Sequence, residues 1–114
     1  MSSRNLSVIT KTYDFVLWML PKISKFPRDR RFVLGERMEN RLFDLLENLI
    51  EAKYTRDPKE LLKRANMGLE IFRFSLRLAK DMKIMNLDSY EFASSQIHAI
   101  GSEIGGWLKS ERTA

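Results

Sequence analysis

A helical hydrophobic period runs through nearly the whole chain, and it limits the fold more than any other feature. Apolar or small residues recur by threes and fours at Gly35, Met38, Leu42, Leu45, Leu49 and Ala52. They recur again at Leu62, Ala65, Leu69, Phe72, Leu76 and Ala79, and at Ala93, Ile97, Ile100, Ile104 and Trp107. The N-terminal stretch is looser, with Val8, Phe15 and Met19 on one stripe and Val16, Leu20 and Ile23 beside it. At 3.6 residues per turn such spacing puts each set on one helical face. No stretch alternates with period two over strand length, so strands are not expected.

Punctuation separates four segments. The first starts near Ser7 and stops at Phe26-Pro27, because a residue before proline is pushed out of the helical region. Pro21 inside it removes one backbone donor and is expected to kink it. The second runs from about Arg30 to Tyr54. Asp57-Pro58-Lys59-Glu60 reads as the start of the third, with Asp57 capping, Pro58 in first helical position and Glu60 reaching back. Before the fourth, Asp88 and Glu91 form a capping-box pair, with Leu87 and Phe92 at hydrophobic-staple positions.

Four amphipathic helices and short connections in 114 residues predict an all-α fold. The expected architecture is a single-domain (1–114) up-down-up-down four-helix bundle. Apolar residues at 44% and charged residues at 31% fit a packed domain and exclude a disordered chain. The longest apolar run, Phe15 to Leu20, is too short for a membrane span or a signal peptide. A cytoplasmic location with no membrane partner is therefore expected.

The third segment is apolar twice over. Met67, Ile71, Phe74 and Leu78 form a second stripe about 200° from the first, at about 100° per residue. That stripe packs either on another helix of the same bundle or on another subunit. These four residues are the expected oligomer interface.

The residues available for chemistry are few. There is no cysteine and one histidine, His98, which excludes disulfides, thiol nucleophiles and Cys/His zinc sites. Glu36, Glu39, Glu47 and Glu51 recur on the second segment, but a di-iron bundle needs Glu-x-x-His motifs on two helices. These acids read as a solvated face paired with Arg37 and Arg41, and His98 reads as a helix-edge residue. No catalytic residue, metal or cofactor is expected, and no enzymatic activity.

Charge is more informative because it is uneven. The chain carries +5 overall, yet residues 22–41 hold seven Lys/Arg against three acids and residues 53–83 hold nine against four. Residues 84–114 hold two against four. Lys59, Lys63, Asn66, Glu70, Arg73, Arg77 and Lys80 form one polar stripe between the two apolar stripes of the third segment. Lys22, Lys25, Arg28, Arg30 and Arg31 cluster around Phe26 and Phe32. Arg28, Arg30, Arg31, Arg73, Arg77 and Lys80 are the candidate contacts to nucleic-acid phosphate or to a protein partner. The alternative is a salt-bridged rim around the core. Either phenylalanine can stack on an unpaired base or bury the helix corner, and burial is the expectation for Phe32. Gly101, Gly105 and Gly106 are expected to permit close helix packing, with Trp107 anchoring that end.

The segment Phe26-Pro27-Arg28-Asp29-Arg30-Arg31-Phe32 is followed by Leu34-Gly35-Glu36-Arg37-Met38, Leu45-Leu46-Glu47 and Glu51-Ala52. Then come Leu62-Lys63-Arg64-Ala65-Asn66, Leu69-Glu70, Arg73-Phe74 and Leu76-Arg77-Leu78-Ala79-Lys80. Ile104-Gly105-Gly106-Trp107-Leu108-Lys109 closes the series. In this order the motifs resemble the accessory variability determinant (Avd) family of diversity-generating retroelements, over about residues 9–110. The wider group includes proteins encoded in intervening sequences of bacterial 23S rRNA genes. Those typically carry a Gln-x-x-Arg-Ala second helix leading into Ser-Ile-Pro, which this chain lacks. The resemblance implies a ring- or barrel-shaped homopentamer with a basic surface. It further implies association with a reverse transcriptase and template RNA or cDNA, supporting mutagenic cDNA synthesis without catalysing it. Two alternatives stand beside it: an oligomeric protein scaffold that binds no nucleic acid, and a stand-alone RNA binder of the intervening-sequence type.

Overall fold

Each periodic segment folds as a helix, and the computed structural model describes residues 3–113. Helix α1 is Ser3–Ser24, α2 is Glu36–Lys53, α3 is Lys59–Asp81 and α4 is Leu87–Thr113. No strand occurs among the described residues. α2 and α4 each pack on both α1 and α3, so α1 and α3 stand diagonally across the core of a four-helix bundle.

The core is built from the periodic stripes. Met38, Leu42, Leu45, Leu49 and Ala52 of α2 are buried, as are all six residues of the first α3 stripe. The α4 set, Trp107 included, is buried too, and α1 adds Val8, Phe15, Val16, Met19 and Ile23. Thr12 is also fully buried, and its hydroxyl donates to the Val8 carbonyl at 2.8 Å, so its own helix satisfies it. Across the diagonal, the Phe15 ring meets Phe72 edge-on at 5.9 Å. A Cβ at Gly101 would stand 3.3 Å from Leu69 Cδ2, so glycine lets α4 approach α3 closely. α4 continues through Gly105 and Gly106, which places Trp107 within the helix.

The α1–α2 corner departs from expectation. Helical backbone resumes at Arg28–Arg30, then widens into a π turn over Arg31–Gly35 before α2 proper. The Glu36 N–H accordingly donates to Arg31 O, five residues back. In an unbroken α-helix, Phe32 would continue the buried stripe of Gly35, Met38 and Leu42. The extra residue of the π turn slips that register by about 100°. Phe32 is therefore 61% exposed, while Phe26 is 4% exposed and fills the corner, the reverse of the burial expected for Phe32. Gly35 is buried there, since a Cβ would come within 3.1 Å of Ile23 Cγ2.

Both predicted caps need correction. Pro58 occupies the cap position of α3, with no side-chain cap bond, and Asp57 lies 3.7 Å from Lys59 instead. Pro58 has no N–H of its own to satisfy, but its carbonyl accepts from the Leu62 N–H at 2.9 Å and starts the helix. At α4 the capping side chain is Asn86, whose Oδ1 accepts from the Ser89 N–H at 2.8 Å, so Asp88 is already inside the first turn. Leu87 and Phe92 are exposed and form no buried staple, and Phe92 packs on Trp18 with ring centroids 4.7 Å apart. Asn86→Ala should cost about 1 kcal/mol. Asp88→Ala, which loses only a dipole interaction, should cost about 0.3–0.5 kcal/mol. Urea denaturation of the two variants reads the difference, and equal costs would restore Asp88 as the cap.

The α3–α4 connection turns without glycine. Lys83 takes φ 63° just past the Met82 cap. Its N–H donates to Lys80 O at 2.9 Å and the Ile84 N–H donates to Ala79 O at 3.0 Å. That pairing is a Schellman closure, here with lysine in the left-handed position.

Candidate nucleic-acid and subunit interfaces

The second α3 stripe is not covered by the bundle. Met67 and Phe74 are each 62% exposed, Leu78 49% and Ile71 37%. Packing on a second helix of the same chain is thereby excluded. Four large apolar side chains in a row on solvent form the kind of patch that marks a contact surface.

The stripe does not end with α3. Leu78 and Met82 meet Val33 and Leu34 of the π corner in an open groove of about 340 Å³, rimmed by Asp29, Arg30 and Arg37. Val33 is 65% exposed, and sequence periodicity gave no hint of it because the π turn sets its direction. The fold thus brings the candidate Arg30 beside the candidate Leu78.

Within the corner, Arg28, Arg30 and Arg31 are all exposed. Arg30 Nε lies 4.0 Å from Asp29 Oδ2, at the edge of ion-pair range. Arg31 donates to the Ser24 carbonyl at 3.4 Å, and its guanidinium sits 5.6 Å from the Phe32 ring. Neither Arg28 nor Arg31 has a carboxylate partner among the described residues. Lys22 and Lys25 continue the positive surface around a cleft of about 250 Å³ floored by Phe26, Ile84 and Met85.

Arg73, Arg77 and Lys80 lie on the other flank of the stripe, toward α4. Arg73, Phe74 and Arg77 line a small cleft with Tyr90, and Lys80 Nζ sits 4.7 Å over the Tyr90 ring. Each of these cations has an acid nearby. Arg73 Nε is 3.5 Å from Glu70, Arg77 Nε is 3.8 Å from Asp81, and Lys80 Nζ is 3.4 Å from Asp81. Arg73 Nε makes no hydrogen bond, so its approach to Glu70 is Coulombic only. Such exposed pairs are worth about 0–1 kcal/mol each. They hold the side chains in place without fixing them against exchange for phosphate.

The six candidate cations therefore form two groups: Arg28, Arg30 and Arg31 at the corner, where only Arg30 comes near an acid, and Arg73, Arg77 and Lys80 beside α4, where Glu70 and Asp81 lie close to all three. The expected pairing on α2 is absent: among the described residues no ion pair joins Glu36, Glu39, Glu47 or Glu51 to Arg37 or Arg41. Arg41 turns instead into the α2–α3 cleft with Asp44, Asn48 and Arg64. His98 is exposed on α4. The described residues contain no cluster of three or more potential metal ligands, and no helix is long and apolar enough to cross a membrane.

No curated protein matches the chain. The family profile described as bAvd-like matches residues 6–111, which takes in all four helices apart from the extreme ends of α1 and α4. The chain belongs to the bAvd-like family.

Proposed function

We propose that this protein is a non-enzymatic accessory subunit of a diversity-generating retroelement. It assembles into a ring of identical bundles through the outer face of α3, a pentamer if the Avd resemblance extends that far. Its basic surface holds template RNA or cDNA, and the assembly docks on the reverse transcriptase to support mutagenic cDNA synthesis. One observation carries this reading for a bAvd-like chain: an uncovered apolar ridge with cations at the corner and beside α4. An apolar strip with a charged rim has the anatomy of a protein interface. Cations beyond the rim remain available to phosphate.

Co-purification with a reverse transcriptase encoded beside it is the direct test. The expected result is a complex that survives nuclease, retains RNA at low salt and loses it steeply as salt rises. Failure of the two proteins to co-elute would remove the reading, and RNA retained without the enzyme would point to the intervening-sequence type.

A second reading is favoured by the acids beside Arg73, Arg77 and Lys80. In it the protein is an oligomeric scaffold whose charges serve only intramolecular pairs. It predicts partner capture with no retained RNA and no salt dependence.

A further inference from the structure

We propose that Phe32 is a stacking platform for an unpaired base, so that the corner between α1 and α2 takes single-stranded nucleic acid. It rests on the nucleic-acid part of the function proposed above and specifies the form of strand received there.

The backbone itself puts this ring on solvent. Phe26 fills the corner, so the core offers Phe32 no vacancy, and the π turn holds its ring 61% exposed. Single π turns within helices frequently sit at functional sites. The groove that joins the corner to the α3 ridge is lined by Val33 and Leu34 but not by Phe32. Phe32 therefore stands apart from the apolar surface proposed for assembly, with cations as its neighbours. Arg28 lies one turn before it on the same side of the helix, exposed and without a carboxylate partner among the described residues. The Arg31 stem passes over Gly35, where a Cβ would stand 3.6 Å from Arg31 Cγ. Its guanidinium uses one N–H on the Ser24 carbonyl and comes within 5.6 Å of the Phe32 ring centroid. The remaining donors are left for phosphate.

The charge around the ring suits an anion. Residues 22–37 hold six cations against two acids, Asp29 and Glu36. Asp29 lies at the edge of ion-pair range of Arg30, and Glu36 stands one turn beyond Phe32. The α3–α4 connection at the same end of the bundle, residues 77–91, is balanced at three cations and three acids. The positive excess is therefore local to the corner. Glu36 directs a strand away from α2, from Phe32 back over Arg28 toward α1, where Lys22 and Lys25 continue the path. An exposed ring beside cations is the arrangement that single-strand binders use: the ring stacks on a base and the cations meet the flanking phosphates. Base faces in a duplex are already stacked on one another, so a duplex can meet only the arginines. Charge alone would also suit an acidic protein surface, and the flat ring held out beside the arginines is what favours a base.

Fluorescence anisotropy at fixed low salt tests this with three labelled probes: oligouridylate, the same ribose–phosphate chain without bases, and an RNA duplex of equal length. The intact protein should bind oligouridylate about 10-fold more tightly than the chain without bases, the gain expected of one stacked base. Phe32→Ala should abolish that preference and leave the other two affinities unchanged. The slope of log affinity against log salt should also stay the same, because no phosphate contact is lost. Phe32→Tyr, which keeps the ring, should retain the preference, and Phe32→Leu should not. The position is exposed, and circular dichroism verifies the fold of each variant. A Phe32→Ala protein that keeps the preference, or that weakens on all three probes alike, would overturn the platform while nucleic-acid binding stands. Unchanged RNA affinity together with loss of the nuclease-resistant complex with the reverse transcriptase would assign Phe32 to a protein contact instead. If the intact protein binds none of the three probes, the platform and the nucleic-acid part of the proposed function fall together.

Discussion

Phe72→Ala should remove about 3–5 kcal/mol of stability, whereas Phe74→Ala, two residues along the same helix, should leave the single chain within about 0.5 kcal/mol of wild type. The contrast comes from rotation alone. Phe72 is 1% exposed and its ring meets Phe15 across the bundle diagonal, so alanine there leaves a void between α1 and α3. Small domains have only about 5–15 kcal/mol in total, so that loss brings the fold near its limit. Phe74 points to solvent, and alanine is the better helix former by a few tenths of a kcal/mol. Its cost should appear in self-assembly, where truncating a central aromatic costs about 2 kcal/mol or more. Urea unfolding, below the concentration at which the chain assembles, reads the first effect, and sedimentation reads the second. Equal unfolding costs at the two positions would mean that α3 is buried on both faces.

Neutralising Arg28 and Arg31 to glutamine should weaken single-stranded RNA binding on the order of 10-fold at moderate salt, and should flatten the slope of log affinity against log salt by about 1.4. The same change at Arg73 and Arg77 should do less. The corner arginines have no carboxylate partner, so each phosphate they meet releases its counterion in full. Arg73 and Arg77 must first give up Glu70 and Asp81, and part of their charge is already compensated. Filter binding across a salt series measures both slopes. If the α3 pair carried the larger slope, the nucleic-acid path would run along the α3–α4 flank and not over the corner.

The helices and their buried faces were legible because burial in a bundle follows the 3.6-residue period, and every residue of the core-facing stripes predicted for α2, α3 and α4 is in fact buried. The corner was not legible in that way. Phe32 fits the α-phase of Gly35 and Met38, and only the π turn, closed from Glu36 N–H to Arg31 O, rotates it outward. Caps were misread for a related reason. Asp57, Asn86 and Asp88 are all acceptable capping residues, and which one meets a free N–H depends on where the backbone enters the helix.

The candidate site divides along the same line. Sequence spacing was enough to separate the α3 cations from its apolar residues and to set the two apolar stripes on opposite sides, since both follow from one helix's geometry. It left open whether the second stripe is covered, because that depends on where three other helices stand. The tertiary structure decided it: α2 and α4 occupy the flanks of α3 and α1 lies across the core, so among the described residues no helix covers the outer face. It also left Tyr13 and Leu17 of α1 and Phe43 and Ile50 of α2 uncovered. Local periodicity sets what one helix can bury, and only packing between helices sets what remains for a partner.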